Sequence, residues 1–330
     1  MGNLHICVTP RLGLMTSIAD QTHRFLRFNI EHTGEDEDAH YFDLGMYLSQ
    51  MNRRTYRQGM TYDVSSITFH DSSAEDTYIK VCTMPRTWLA QNAWKKGFTE
   101  WMKQQNAAFD ATGIKAGAWH DFKIYLNSDM VADVDKPDLI DMEDNTFPEG
   151  DWDYSVFQIP QDGSTNPSES TIHMMGNNAG AWPTFTKISL LKEFEKTLNT
   201  PGIEDPDIPS TASDSVYNLL SAAQPDVDTL TAVVADIEDD NDFPPYSASS
   251  VPGAGTPGAG KPAWPWVVRE TCIEGGGLHV ARTGSVSAPC GLLLIETKCA
   301  EDENEIGVTI EVKAGSYKGV SARPMLGGGL

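Results

Sequence analysis

No run of 18 apolar residues occurs in this chain, so a helical membrane span is not expected. The first fourteen residues, MGNLHICVTPRLGL, lack the charged start and continuous apolar core of a secretory signal. Ile6 stands where an N-myristoylation signal at Gly2 wants Ser or Thr. The five cysteines, Cys7, Cys82, Cys272, Cys290 and Cys299, are widely spaced, odd in number and without a CxxC pair. That pattern predicts free, mostly buried thiols in a reducing compartment, with one disulfide left open. The eight histidines never fall at HExxH spacing, and neither a GxSxG turn, a Cys-His signature nor a paired-carboxylate motif stands out. The nearest approach to a phosphate loop is Gly255, Gly260 and Lys261, but Pro262 occupies the place of the Mg²⁺-binding hydroxyl and no strand precedes it. An enzyme is therefore not expected.

Positive charge is missing over a long stretch. Thr197 to Gly260 contains no Lys or Arg, while eleven acids run from Glu204 to Asp242. Residues 1–130 hold 13 Lys/Arg against 15 Asp/Glu, whereas residues 131–330 hold 11 against 32, so the net charge of −23 sits almost wholly in the second part. The asymmetry describes a packed scaffold carrying solvated acidic excursions. It also argues against a protein that coats nucleic acid by broad counterion release. The 28 Gly and 19 Pro predict many turns, which favours β structure over a helical bundle.

His5–Thr9 and Arg24–Ile30 read as strands, the second alternating Leu26, Phe28 and Ile30 against Phe25, Arg27 and Asn29. Asp43–Arg54 carries Leu44, Tyr47, Leu48 and Met51 at helical spacing, with Asp43 as N-cap. Thr61–Phe69 and Thr77–Thr83, separated by HDSSAED, predict an antiparallel pair. Pro85 opens the clearest helix, Trp88 to Phe109, with Trp94, Phe98, Trp101 and Gln105 on one face and Gly113 as its stop. His120–Leu126 alternates like a strand, and Trp152–Ile159 and Thr171–Met175 are further strand candidates. Helices are expected at Lys187–Leu198, Ser213–Ala223 and Asp226–Ile237, then a PGAG-repeat linker, then strands at Trp264–Glu270, Gly291–Lys298 and Glu305–Ala314. The fold class is thus all-β with helical insertions, a single unit of 1–330. Its excursions are an acidic loop at 133–153 and an acidic helical and linker insertion at 187–262, the latter a candidate protruding subdomain.

Asn52-Arg53-Arg54 with Arg57 is the densest basic patch. It reads either as helix C-terminal residues complementing the macrodipole or as phosphate and subunit contacts. The acidic runs 141–153 and 236–242 lack the D-x-D-x-D-G order of a calcium loop. They read as solvated loops, with weak calcium at a subunit junction as the alternative. Trp88, Trp94, Trp101 and Trp119 read as core rather than as a base-stacking platform.

Several runs resemble one family. They are Tyr41-Phe42-Asp43-Leu44 with Met51-Asn52-Arg53-Arg54 and Tyr56-Arg57-Gln58-Gly59, then Thr83-Met84-Pro85-Arg86-Thr87-Trp88 leading to Asn92–Phe98. Val64–His70, Ala288–Leu293 and Gly315–Val320 ahead of Pro324-Met325 belong with them. Together these are similar to capsid proteins of small circular Rep-encoding single-stranded DNA viruses, over residues 41–126 and 288–325. The resemblance implies a jelly-roll β-sandwich carrying long acidic loops. It further implies self-assembly into an icosahedral shell inside the host cell, a virion with many copies of the chain around single-stranded DNA, and no cofactor or membrane. Arg53, Arg54 and Arg57 are the candidate genome or subunit contacts. The chain departs from that family in lacking an Arg/Lys-rich arm, its first base being Arg11. The rival readings are a β-sandwich carbohydrate-binding module and a glycoside hydrolase with scattered carboxylates.

Overall fold

Alternation along β1 (Phe25–His32) is what the sequence announces: Leu26, Phe28 and Ile30 are buried while Phe25 is 57% exposed. This computed structural model describes residues 22–32, 37–132, 136–159, 167–180, 185–198, 266–299 and 304–325. After β1 come β2 (Asp38–Asp43), helix α1 (Leu44–Asn52), β3 (Met60–Asp71) and β4 (Thr77–Thr83). A long excursion follows: α2 (Trp88–Thr112), α3 (Ser128–Ala132), β5 (Leu139–Ile140), β6 (Val156–Ile159), β7 (Ser168–His173), β8 (Lys187–Ser189) and α4 (Leu190–Leu198). The chain then adds β9 (Trp266–Ile273), β10 (His279–Arg282), β11 (Val286–Pro289), β12 (Leu292–Lys298) and β13 (Asn304–Val312). It closes with β14 (Ala314–Gly315), β15 (Gly319–Val320) and β16 (Ala322–Pro324). The fold is mainly β, with antiparallel sheets and a few helices. Among the described residues no helix is long and apolar enough to cross a membrane.

Two sheets face one another. The first has the order β10-β3-β13-β1-β5, with β11 and β16 also on β3; the second has the order β2-β12-β4-β9. Every pairing within these two sheets is antiparallel. One apolar core lies between them, built from Leu26, Phe28 and Ile30 of β1, Val64, Ile67 and Phe69 of β3, Val81 of β4, Leu293 and Ile295 of β12, and Val308 and Ile310 of β13. Phe28 sits at its centre, edge-on to Phe42 (5.0 Å) and Tyr47 (4.6 Å).

Strand β12 of the second sheet is buried on both faces, which explains why it reads LLLIET without alternation. Leu293 and Ile295 point into the first core; Leu292 and Leu294 point into a second, formed with Leu89, Trp94 and Trp101 of α2, with Phe122, Ile124 and Leu126, and with Ile172 of β7. A third sheet, β6-β7-β8, and helix α4 complete this cover. Gly97 lets α2 and α4 approach, since a Cβ there would meet a Leu190 methyl at 2.6 Å.

Several expectations need correction. β3 and β4 are not partners: β3 pairs with β13, β10, β11 and β16, while β4 pairs with β12 and β9 in the opposite sheet. Asp71 turns the chain across, its carboxylate accepting Ser73 N–H (2.9 Å) and the Asn304 amide (2.9 Å). Alternation reports which face is buried, and both strands bury a face in the shared core without being neighbours. Pro85 lies before α2, whose N-cap is Thr87, its hydroxyl accepting from Ala90 N–H (3.2 Å). Residues 120–126 alternate as expected but run extended, with a single bridge at Tyr125, and 187–189 form a strand before α4. The Asp43 and Gly113 caps of α1 and α2 stand as read. Of the four tryptophans, Trp94 and Trp101 are core, whereas Trp88 and Trp119 are exposed. Cys82, Cys290 and Cys299 are buried and free; Cys272 is free and exposed. His5–Thr9, both helices of 213–237, the PGAG linker and the start of the Trp264–Glu270 strand lie outside the described residues.

Because Phe28 is fully buried amid rigid aromatic neighbours, Phe28→Ala is expected to cost about 3–5 kcal/mol of folding free energy. Urea unfolding measures it; a loss under about 1 kcal/mol would mean the site collapses around the gap.

Candidate nucleic-acid or subunit interface

Helix α1 stops because Arg53 enters the left-handed region (φ 53°) at its C-cap. Asn52 locks that end to the start of β1, its side chain bonding the His23 N–H and C=O (both 2.9 Å) and the Leu48 carbonyl (3.1 Å). Arg53 and Arg54 are exposed, and among the described residues neither has an ion-pair partner. Arg57, also exposed, lies 3.4 Å from the Asp121 carboxylate.

Lys318 joins these arginines from 260 residues away. Tyr56 donates its hydroxyl to the Lys318 carbonyl (2.9 Å), and Tyr317 accepts the Arg57 N–H (3.2 Å), which brings the 315–319 turn against the 53–57 turn. The Lys318 ammonium bonds the Thr55 carbonyl and lies over the Tyr56 (5.8 Å) and Tyr317 (5.6 Å) rings. Partial burial lowers its pKa first, and the Arg57 and Arg54 charges push it further down against the pull of Asp121. The structure thus gathers Arg54, Arg57 and Lys318 at one turn, while Arg53, the C-cap of α1, lines the cleft along residues 136–154. No local signal marks Lys318, because a Tyr-Lys-Gly turn reads only as a turn.

Behind the patch, a buried carboxylate ties the elements together. Asp43 is fully buried and accepts from Met46 N–H (3.2 Å), Gln58 Nε2 (2.9 Å), Trp152 Nε1 (3.1 Å) and Tyr154 Oη (3.3 Å). Burial raises its pKa; the Gln58 and Met46 donors and the Lys136 charge pull the other way. Gln58 also brackets Ile124, donating to its carbonyl (2.9 Å) and accepting its N–H (2.6 Å), while its own N–H reaches Asp121 (2.9 Å). Tyr154 stacks on Tyr125 (4.0 Å between centroids), and Lys123 and Lys136 lie over Trp152 (4.1 Å) and Tyr154 (4.2 Å). With its oxygens taken up by four donors, Asp43 is built to hold a junction.

Beside this junction an open cleft of about 1490 Å³ runs along residues 136–154, lined by Asp138, Asp144, Glu149, Asp151 and Asp153 together with Trp119. Burial and contact with Asp138 raise the Glu149 pKa, so these two carboxyls crowd one another. Asp141 instead bonds the N–H groups of Glu143 (2.7 Å) and Asn145 (3.0 Å), closing its own turn. Among the described residues no three His, Cys, Asp or Glu converge as metal ligands.

No known protein family, curated protein or solved structure matches this chain.

Two predictions follow from the buried groups. Asp43→Ala leaves four donors facing a void and is expected to lose about 3–5 kcal/mol; chemical denaturation showing less than about 1 kcal/mol would remove Asp43 as the junction. The second concerns pH. Burial lowers His40 and His173 to about 4, from an ordinary 6.5. The unfolded chain therefore takes up these protons first, and stability held above pH 6.5 drains away as pH falls toward 4, by about 3 kcal/mol for each histidine. The raised carboxyls Asp43 and Asp121 work in the opposite sense, favouring the fold at low pH. Melting curves of His40→Gln and His173→Gln between pH 7 and 4 should show a flatter loss than the parent; parallel curves would contradict the assignment.

Proposed function

We propose that this chain is a jelly-roll capsid subunit, assembling in many copies into a closed shell around single-stranded DNA. The observation that carries the reading is a pairing rule. Number the eight principal strands in chain order, counting the interrupted β10–β11 as one: β1, β2, β3, β4, β9, β10–β11, β12, β13. The first then pairs with the eighth, the second with the seventh, the third with the sixth and the fourth with the fifth. That is one long hairpin of eight strands. The further pairs β13·β3 and β12·β4 wrap it into two facing sheets, as in the double Greek key of a jelly roll.

The connections support the same reading. Residues 33–37, 72–76, 274–278 and 299–303 join strands at one end of the sandwich, five residues in every case. From the opposite end come α1 and the start of the long excursion that follows β4. A sandwich with one trimmed end and one elaborated end tolerates growth of its loops without disturbing its core. Arg54, Arg57 and Lys318 gather where α1 meets β3, and with Arg53 they supply short-range phosphate contacts to the DNA. No residue is assigned covalent chemistry.

The rival reading, a glycan-binding or glycan-cleaving sandwich, draws on the acidic cleft with Trp119 and Tyr154 at its wall. One of its carboxyl pairs, Asp138 and Glu149, is in hydrogen-bond contact, nearer than the roughly 5 Å that a retaining pair needs.

Size-exclusion chromatography with light scattering, followed by negative-stain microscopy, tests the proposal. Uniform round particles of megadalton mass are expected; a monomer or dimer across salt, pH and calcium would overturn it. Replacing Arg53, Arg54 and Arg57 together by Gln should leave the fold within about 1 kcal/mol while lowering particle yield or DNA content severalfold. Unchanged yield and content would remove these arginines from that role.

A further inference from the structure

A small cavity opens where the start of β3 meets β11, β16 and the turn into α2. Thr61 lies in its lining and pairs with Pro289 of β11 on one side and Arg323 of β16 on the other. Met325 closes the corner: its N–H donates to the Gly59 carbonyl (3.0 Å), and the Thr61 hydroxyl donates to its sulfur (3.2 Å). Pro85, Pro289 and Pro324 supply three of the lining residues. Proline fixes φ and has no N–H, so these parts of the wall are stiff and offer an occupant no backbone donor. The volume is about 80 Å³, several times what one water requires and enough for a phosphate group.

The donors are therefore side chains, and none of them is acidic. Arg86, Arg323 and Gln91 line the cavity, and no Asp or Glu does, on a chain of net −23. Arg86 is exposed, and among the described residues neither its guanidinium nor the Gln91 amide has a partner. Arg323 is held in place: its Nη2 bonds Asp63 Oδ1 (3.1 Å), and the Ser287 (2.9 Å) and Ser321 (2.8 Å) hydroxyls donate to that carboxylate. Its Nη1 and Nε keep their donors among the described residues. Guanidinium forks match tetrahedral oxyanions through paired hydrogen bonds. Two arginines against the one carboxylate of Asp63 leave a charge of +1, which matches a singly charged phosphodiester.

We infer that this cavity seats one phosphate group between Arg86 and Arg323, and that the group is a phosphodiester of a DNA strand. Gly59, tied to Met325, lies two residues from Arg57, and the Cα atoms of Arg57 and Thr61 are at most about 14 Å apart. The cavity thus adjoins the turn that gathers Arg54, Arg57 and Lys318, and a strand seated in it can continue toward that turn. The choice of DNA rests on the shell reading; the cavity itself belongs to one subunit and needs no assembly. The proline wall and the Asp63 clamp mean that little order is lost on binding.

Arg86→Gln tests the site, since an exposed arginine without a partner can be replaced with the melting temperature unchanged. Calorimetric titration of the full chain with inorganic phosphate should weaken about tenfold in this variant. Fluorescence anisotropy with a labelled oligothymidylate should show affinity falling severalfold, and the slope of log affinity against log salt should shrink by about 0.7. Arg323→Lys keeps a cation beside Asp63 but loses the fork; it should weaken both ligands while the slope stays at the parent's value. Phosphate binding weakened with oligothymidylate binding unchanged would keep the site and overturn DNA as its source, leaving free phosphate as the occupant. Phosphate affinity equal in parent and Arg86→Gln, or absent from both, would overturn the site. Particle formation by the same samples decides the shell reading separately: particles with no phosphate effect overturn the cavity alone, and a phosphate effect without particles overturns the shell alone.

Discussion

Burial of both faces of β12, within the β2-β12-β4-β9 sheet, is the constraint from which the rest of the architecture follows. Leu293 and Ile295 need the facing sheet, while Leu292 and Leu294, on the same strand, need something else. An open apolar sheet face in water is an aggregation surface, so the outer side has to be covered. Helix α2, the extended run 120–126 and the small β6-β7-β8 sheet supply that cover with Trp94, Trp101, Phe122, Ile124 and Ile172. Helix α2, the run 120–126, the β6-β7-β8 sheet and α4 are accordingly a third layer over that face. Gly97 fits this account: the layer is thick enough that α2 and α4 must nearly touch.

The covering layer is held at one end by a charge. Burying a carboxylate costs several kcal/mol unless its lone pairs are occupied, and Asp43 occupies its own with donors from four places in the sequence. One donor caps α1, one belongs to the approach to β3, and two belong to the acidic loop. Gln58 extends the junction to Ile124 and Asp121. Lys123 and Lys136, laid on the faces of Trp152 and Tyr154, add positive charge beside a loop that has seven acids over 138–153. A segment that repels itself is thereby pinned to the body at Trp152 and Tyr154.

What the sequence discloses divides along the range of the interaction. The alternation of Leu26, Phe28 and Ile30, the capping by Asp43 and the stop at Gly113 are local, and each is legible from a handful of neighbours. The pairing of β3 with β13 and of β4 with β12 spans some 240 and 215 residues, and the alternation that marks these strands is silent about partners. Residues 120–126 show the limit of pattern: Phe122, Ile124 and Leu126 are buried as alternation implies, yet Gln58 and Ile172 satisfy backbone groups that a sheet would otherwise claim. The basic patch was half legible. Arg53, Arg54 and Arg57 are adjacent in sequence, whereas Lys318 reaches them only through the Tyr56 and Tyr317 contacts.

The charge distribution decides how such a patch would work in the proposed shell. A chain at −23 presents a polyanion with repulsion at long range, so attraction begins only within about a Debye length, roughly 8 Å at physiological salt. Four cations displace few counterions; for a single strand the logarithm of affinity would fall with the logarithm of salt at a slope near −3 per copy. A lone subunit should therefore hold DNA weakly and lose it in moderate salt. Copies fixed side by side in a shell present the same cations as an array, and each contact after the first is made at high effective concentration. In the proposed shell, weak individual contacts and the negative charge of each copy would together mean that DNA is held by the assembly and not by the free subunit. Under that proposal, Arg53, Arg54, Arg57 and Lys318 would recur once per copy and act together only in the assembled array.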